Sequence, residues 1–480
     1  MKYKHALFLN PYIENTATSV MGLFPPTGLE YVATSAKGLV DKITLLDLRY
    51  ETDLCDTGRL VDFIRKNIDI VCVSVGWDRQ YEEICGLLNL FPENIPLVVG
   101  GYKATIEVEG LFRTCPRINI IVRGEGEETI KEVLKGSPLE NILGISYRGG
   151  AGGIVHNANR PIPDVDIIGS PDRSLRRNEY YMRVNGIGLA DMTFDSVLSA
   201  RGCPFKCNFC TFNLNPLGQK RDYAARSVES VVNEIEGISA NTILFNDDNF
   251  FTDVKRSEKI CDLIIARKIK KRFLAQARIE IAKNPRLLAK MVKAGFKMLF
   301  IGIESPHDHI LAELNKGFDS REIRKCFAVL KKYPIYYHGY FIYGNIGETE
   351  EEMLYIAKFA KEISLDSITF QKLRIEKFSP LRKIAEHTPG YHVTARGELY
   401  SDTYKHSTLK KIGRQIKFSF YTPLQILKIL KKFFVVKFFT FNEIAVFAAA
   451  SPRLLKSVIA REIKKKRLSD SLKRILVSNA

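Results

Sequence analysis

"SARGCPFKCNFCTF", residues 199–212, sets three cysteines, Cys203, Cys207 and Cys210, into eight residues directly after "SVLSA" (196–200), a short run with the composition of a buried strand. A structural zinc site takes four protein ligands, typically two close pairs of cysteines, and neither a second pair nor a neighbouring histidine stands near this triplet. Cys261 lies among Ile260, Leu263 and Ile264 in helical rhythm, which is a core pattern. The chain has nine cysteines, an odd number, and the other six are scattered among apolar residues. Buried thiols in a reducing compartment explain that better than a disulfide framework. A four-iron, four-sulfur cluster is normally held by four thiolates. Three would leave one iron free for a substrate or cofactor.

Further apolar runs follow at regular intervals: "TILFN" (242–246), "FLAQA" (273–277), "MLFIGI" (298–303), "YHGYFIY" (337–343) and "SITFQ" (367–371). Amphipathic stretches such as "VESVVNEIEGI" (228–238) and "PRLLAKMVKAG" (285–295) lie between them. Six strand–helix units are too few for an eightfold barrel and predict an open, partial (β/α)6 barrel over 195–395. Reactive groups then gather at the carboxyl ends of its strands.

Upstream, "HALFLN" (5–10), "KITLLDL" (42–48), "DIVCVSV" (69–75), "PLVVGG" (96–101) and "INIIVRG" (118–124) alternate with helical patterns. This predicts an N-terminal, doubly wound, Rossmann-like parallel sheet over 1–150, α/β in class like the barrel. Ligands of such sheets bind at the strand carboxyl ends, where Asn10, Pro11, Ser74, Gly76, Trp77, Gly100, Gly101 and the Arg123–Glu127 loop fall. Gly100 and Gly101 either turn a strand into a helix or let a ligand approach the backbone. Trp77, the only tryptophan, suits a packing role or a ligand role. "GISYRGGAGGIVHNANRPIPDVD" (144–166) reads as a small hairpin leading into a Pro-rich linker, and 151–194 connects the domains.

Three segments of the first domain, "PPTGLEYVA" (25–33), "VVGGYKAT" (98–105) and "VRGEGEETI" (122–130), resemble the cobalamin-binding-type domain that precedes many radical S-adenosylmethionine (SAM) enzymes. The Cys-x3-Cys-x2-Cys spacing, with aromatic Phe209 before the last cysteine, resembles the cluster motif of the same superfamily. The resemblance implies a [4Fe–4S] cluster on Cys203, Cys207 and Cys210, with SAM chelating the open iron. In "LFNDDNFF" (244–251) Asp247 or Asp248 would meet the methionyl ammonium, unless the pair only caps a helix. Arg278 in "QARIE" would reach the cofactor carboxylate, Glu304 or Ser305 in "FIGIES" the ribose, and the "YFIYGNIGETEEE" (340–352) backbone the adenine. Glu348 and Thr349 read as helix-start residues. Cobalamin would lie against Ser74, Gly76, Gly100, Gly101, Gly124 and Glu125. Two departures stand out: there is no Asp-x-His-x-x-Gly to supply a lower axial histidine, and "KLRIEKFSPLRKI" (372–384) replaces the Pro-x-Pro-Gly-Thr-type segment of many relatives.

Charge is unevenly placed. Residues 401–480 hold 18 Lys or Arg against 4 Asp or Glu, so +14 of the chain's +18 lies there. This region (396–480) reads as a mostly helical, basic segment rich in Phe and Leu, which suits the surface of an anionic membrane. Its other reading is a cap packed on the barrel with a solvated basic face. Lys437 and Glu443 interrupt its most apolar run, which disfavours a membrane span, and aromatic runs suited to burial disfavour nucleic acid. The N-terminus shows no signal peptide.

These readings predict a cytoplasmic enzyme, peripheral on the inner membrane face, of the class that includes hopanoid methylases and the anaerobic magnesium-protoporphyrin ester cyclase. Its expected reaction is cobalamin-dependent methylation of a membrane lipid of hopanoid or isoprenoid type, or of another small hydrophobic substrate, with flavodoxin or ferredoxin as electron donor. The alternatives are radical cyclisation, desaturation or C–C coupling, an RNA-directed methyltransferase, and a non-catalytic metal-binding adaptor.

Overall fold

The computed structural model describes residues 2–13, 24–78, 80–150, 152–165, 169–184, 187–394, 396–453 and 456. Strands β1 (His5–Asn10), β2 (Lys42–Asp47), β3 (Ile70–Ser74), β4 (Leu97–Gly100) and β5 (Ile120–Val122) form a parallel sheet in the order β2-β1-β3-β4-β5. The hairpin β6 (Ile145–Arg148) and β7 (Ile154–His156) extends it antiparallel. The strands read as continuous apolar runs because both faces are covered. Leu7 and Leu9 enter one core with Ile64 and Leu88, while Ala6 and Phe8 enter another with Ala33 and Leu134. The order reverses between β1 and β3, so the loops after those strands part and leave a crevice at their carboxyl ends.

The second sheet runs β16-β15-β14-β13-β12-β9-β8. Here β8 (Tyr181–Val184) is antiparallel to β9 (Ile187–Val197), and β9 is parallel to β12 (Thr242–Phe245). Strands β13 (Arg272–Ala277), β14 (Phe296–Glu304), β15 (Tyr336–Tyr343) and β16 (Ser367–Lys372) complete six parallel strands, an open half-barrel with helices outside. The "SVLSA" run proves to be the end of a longer strand. β9 stops at Val197, and β10 (Ala200–Arg201) turns away to pair with β11 (Ala224–Ala225).

The C-terminal region divides. The His406–Phe420 helix buries Leu409, Ile412, Ile416 and Phe420 in the barrel core, as the cap reading expects. After it the chain runs beneath the barrel, touching the amino ends of successive strands. Gln425 Nε2 donates to the Leu365 and Asp366 carbonyls before β16, and Phe433 stacks on Tyr336 at the start of β15 with centroids 4.7 Å apart. The Val436 carbonyl accepts from Lys297 in β14, and Arg272 at the start of β13 donates to the Phe438 carbonyl and pairs with Glu443 at 2.6 Å. Among the described residues no helix is long and apolar enough to cross a membrane. The part of the tail reading that falls on 457–480 lies outside the described residues.

Candidate active site

The carboxyl ends of the barrel strands open on a cavity of about 670 Å3 that all three thiols line. The β10–β11 ribbon closes the loop that carries them. At Gly202 (φ +81°) an added Cβ would sit 2.8 Å from the Asp222 carbonyl oxygen, so only glycine lets the two stems pass. Burial pushes the Cys210 thiol up to about 12 and moves Cys203 the same way, so thiolates there need a bound cation. Arg278 Nη1 lies 3.6 Å from Cys207 Sγ as a donor. Among the described residues no three His, Cys, Asp or Glu side chains close around a single ion. A cubane asks for something else, since each thiolate binds its own iron. Three thiols on one cavity wall, with no fourth cysteine and no histidine in that lining among the described residues, fit such a cluster.

The structure separates the two aspartates. Asp247 is buried with its carboxylate turned to the backbone, accepting from Ser199 N at 2.7 Å, Ala200 N at 3.2 Å and Ser199 Oγ at 2.5 Å. It therefore fixes the point where the chain leaves β9 for the cysteine loop. Asp248 lines the cavity instead. Burial raises both carboxyls to about 6.

Arg278 lines the same wall, held by Glu280 at 2.9 Å, by the Lys316 carbonyl, and by the Phe205 ring 3.8 Å from the guanidinium carbon. Glu304 also faces the cavity. β14 shifts register between Gly302 and Glu304, and Glu304 takes φ +70°, a costly conformation for a non-glycine residue. Its carboxylate pairs with Lys316 Nζ at 3.1 Å. Ser305 is buried off the cavity, its Oγ accepting from His307 N at 3.2 Å. Phe209 lines the cavity with Lys316 Nζ 5.9 Å from its ring centroid.

A second cavity, of about 430 Å3, lies at the switch point of the first sheet. Asn10, Ser74, Gly76, Gly100, Gly101, Gly124 and Glu125 all line it, as the sequence places them. Nothing lies within 4 Å of where a Cβ would stand on Gly28 or Gly76, which leaves bare backbone facing the space. Gly101 (φ +105°) has a different role: a Cβ there would meet the Val75 carbonyl oxygen at 2.8 Å. Described histidines are absent from this lining, in keeping with the missing axial-ligand motif. A broad ligand that approaches backbone and brings no need for an axial histidine fits this wall. The Glu125 and Glu127 carboxylates are engaged by the barrel: Arg201 pairs with them at 2.5 and 2.6 Å, and Arg221 binds Glu125. Gly76, Trp77 and Tyr102 line both cavities, so the two spaces meet there.

Residues 197–360 match the radical SAM superfamily and residues 16–134 match the B12 binding domain. The chain is a radical SAM enzyme with an N-terminal cobalamin-binding-type domain. These matches imply a [4Fe–4S] cluster and SAM, and the B12 binding domain supports cobalamin. Over 452 residues this radical SAM enzyme is 28% identical to an uncharacterized methyltransferase of Pyrococcus horikoshii, covering 91% of this chain and 92% of the relative. It is 26% identical to the anaerobic magnesium-protoporphyrin IX monomethyl ester cyclase of Cereibacter sphaeroides, covering 78% and 62%, and 24% identical to the hopanoid C-3 methylase of Methylococcus capsulatus, covering 65% and 61%. Among solved structures, the radical SAM methyltransferase TsrM of Kitasatospora setae shares the fold at a TM-score of 0.64 and 17% identity, covering 82% of this chain and 79% of that one.

Sequence reading missed several residues of the enzyme's cavity walls. Lys316, in "LNKG", sits in a loop with no periodicity to mark it. Tyr102 and Arg374 come from opposite domains, Arg374 reaching Asp78 across the interface. Trp77, which carried two readings, is 59% exposed at the junction, its ring 4.9 Å from Tyr12.

Proposed function

We propose that this radical SAM enzyme methylates an unactivated carbon of an apolar substrate of hopanoid or other isoprenoid type, with cobalamin as methyl carrier. The observation that carries the reading is the junction at Gly76, Trp77 and Tyr102, where a cavity suited to a corrinoid meets the cavity lined by the three thiols. When bound, the cluster supplies the electron that cleaves SAM to a 5′-deoxyadenosyl radical, and cobalamin supplies the methyl group. Cys203, Cys207 and Cys210 hold the cluster. Asp248 binds the SAM ammonium, Arg278 its carboxylate and Glu304 the ribose, with Phe209 as an adjoining wall. Ser74, Gly76, Gly100, Gly101, Gly124 and Glu125 line the corrinoid space. The exposed aromatic rim of Trp77, Phe205 and Phe212, with Tyr340 deeper in the lining, favours an apolar molecule and keeps water from the radical. Relatives named hopanoid C-3 methylase and methyltransferase support both the reaction and the substrate class. The electron donor would be a flavodoxin or ferredoxin, and the enzyme would work in the cytoplasm beside the inner membrane.

The test is anaerobic turnover after cluster reconstitution and cobalamin loading. Methylation predicts 5′-deoxyadenosine and S-adenosylhomocysteine in equal amounts. 5′-Deoxyadenosine alone would sink it and point to cyclisation or desaturation. Lipid profiles of cells with and without the gene, grown without oxygen, would then show whether a hopanoid or isoprenoid gains one methylene in mass.

A further inference from the structure

The Pro423–Val435 helix packs Phe433 on the barrel but leaves most of its apolar side chains facing outward, against the usual rule for an amphipathic surface helix. Its one buried side chain is polar: Gln425, whose amide donates to two backbone carbonyls. Lys432, on the inner side, lies 3.7 Å from Asp366. The apolar residues Leu424, Leu427, Leu430 and Phe434, spaced by three, three and four residues, form one stripe and are 64%, 62%, 51% and 65% exposed. The inner contacts fix the helix against the barrel, so the stripe has no surface of this chain to turn toward among the described residues. Phe418 (75%) and Phe441 (92%) flank it.

We propose that this stripe is a docking surface for an anionic lipid bilayer, and that it holds the catalytic mouth on the side of the protein away from the membrane. Charge selects the occupant. Residues 405–456 carry eleven Lys or Arg and one carboxylate, Glu443, which is buried against Arg272. A second copy would set eleven cations against eleven, whereas acidic headgroups would neutralise them while the stripe enters the interface. Geometry sets the orientation. The helix and the turn that follows it touch the starts of β16, β15, β14 and β13, and the thiols, Asp248, Arg278 and Glu304 lie at the other ends. β14 alone, at nine residues, separates the two ends by roughly 25–30 Å. This rests on the reading that substrate enters at the cavity mouth. It follows that the substrate is not drawn directly from the leaflet on which the helix rests.

The experiment uses the full-length, cluster-reconstituted enzyme with vesicles of phosphatidylcholine, with and without about one-third phosphatidylglycerol. Expected are co-sedimentation with the anionic vesicles, its loss in high salt, and a drop of ~10-fold or more for the Leu424→Glu, Leu427→Glu, Leu430→Glu triple variant, whose cluster content stays unchanged because all three side chains are exposed. Unchanged binding by that variant would overturn the surface. So would a native chain that ignores vesicles but dimerises through the stripe. Trp77 is the only tryptophan and stands at the mouth, so brominated lipids should leave its fluorescence intact and quench a Phe434→Trp, Trp77→Phe variant. Quenching of Trp77 would overturn the orientation. Neither outcome bears on methyl transfer, which is read from the SAM products.

Discussion

Asp247 and Asp248 are neighbours in sequence with opposite duties. One has its carboxylate fully engaged by the backbone at Ser199 and Ala200, and the other opens on the thiol-lined cavity. Asp248→Asn is expected to keep iron and sulfide content while weakening SAM binding by about tenfold, as loss of one charge-assisted contact does. Equilibrium dialysis with the reconstituted enzyme measures it. Asp247→Asn should leave one backbone N–H of the loop stem unpaired and lower cluster content instead, a result that SAM affinity per cluster would not show. Cys207→Ala should lose most of the iron and sulfide, and a full cluster in that variant would contradict the assignment of the triplet. The paired reading "Asp247 or Asp248" was the limit of the sequence, because two adjacent residues at a strand end differ only in which way the chain turns.

At the scale of elements, the turn from β15 into the Glu350–Glu362 helix shows a carboxyl held against its preference. Thr349 caps the helix and forms a capping box with Glu352, as its position predicts. Glu348 is instead buried, accepting from Asn345 N and Nδ2, both at 2.9 Å, with Glu348 Oε1 and Asn345 Oδ1 unpartnered. Burial raises Glu348 to about 7. A raised carboxyl binds its proton in the folded state first, so this group costs stability as pH rises from the ordinary glutamate range through about 7. Glu348→Gln, neutral at every pH, should melt above the native chain at about pH 8, and the gap should close toward about pH 4. Thermal melts across that range decide it, and a constant gap would show that the carboxyl ionises freely in the fold. The helix start was legible from "GETEEE"; the burial of its first glutamate was not, since that depends on what packs over the turn.

For the whole molecule, the two sheets are joined by buried charge. Arg176, in the connection between domains, holds Glu30 of the first domain at 2.9 Å and Asp195 of β9 at 2.7 Å, while Arg173 ties Asp195 to Glu234. Arg176→Ala leaves the buried Glu30 carboxylate without its cation and takes from Asp195 one of its two arginines, and should cost on the order of 3–5 kcal/mol. The expected readouts are a lower melting temperature and faster proteolysis between the domains, and a melt within experimental error of the native chain would show that the interface stands without it. Arg201 and Arg221 make a second set of such contacts, from the stems of the cysteine loop to Glu125 and Glu127. The "GEGE" loop thus faces the second cavity and anchors the cluster loop at once.

The sequence by itself determined the parallel strands β1–β5 and β12–β16 and the cysteine triplet, because apolar periodicity and ligand spacing are local properties that survive whatever surrounds them; the antiparallel β8 and most of β9 fall in the stretch it read as a connection. It also placed the residues at the strand ends, since the carboxyl-end rule follows from topology. Tertiary structure alone decided which aspartate faces the cavity, that Lys316 stands against Glu304, and that Trp77 lies where the two cavities meet. It also split the basic tail into a helix that feeds the barrel core and one that turns its leucines outward beneath it. Those outcomes depend on contacts between segments tens to hundreds of residues apart, and helical spacing gives the width of an apolar stripe without saying which side of the helix the rest of the chain will cover.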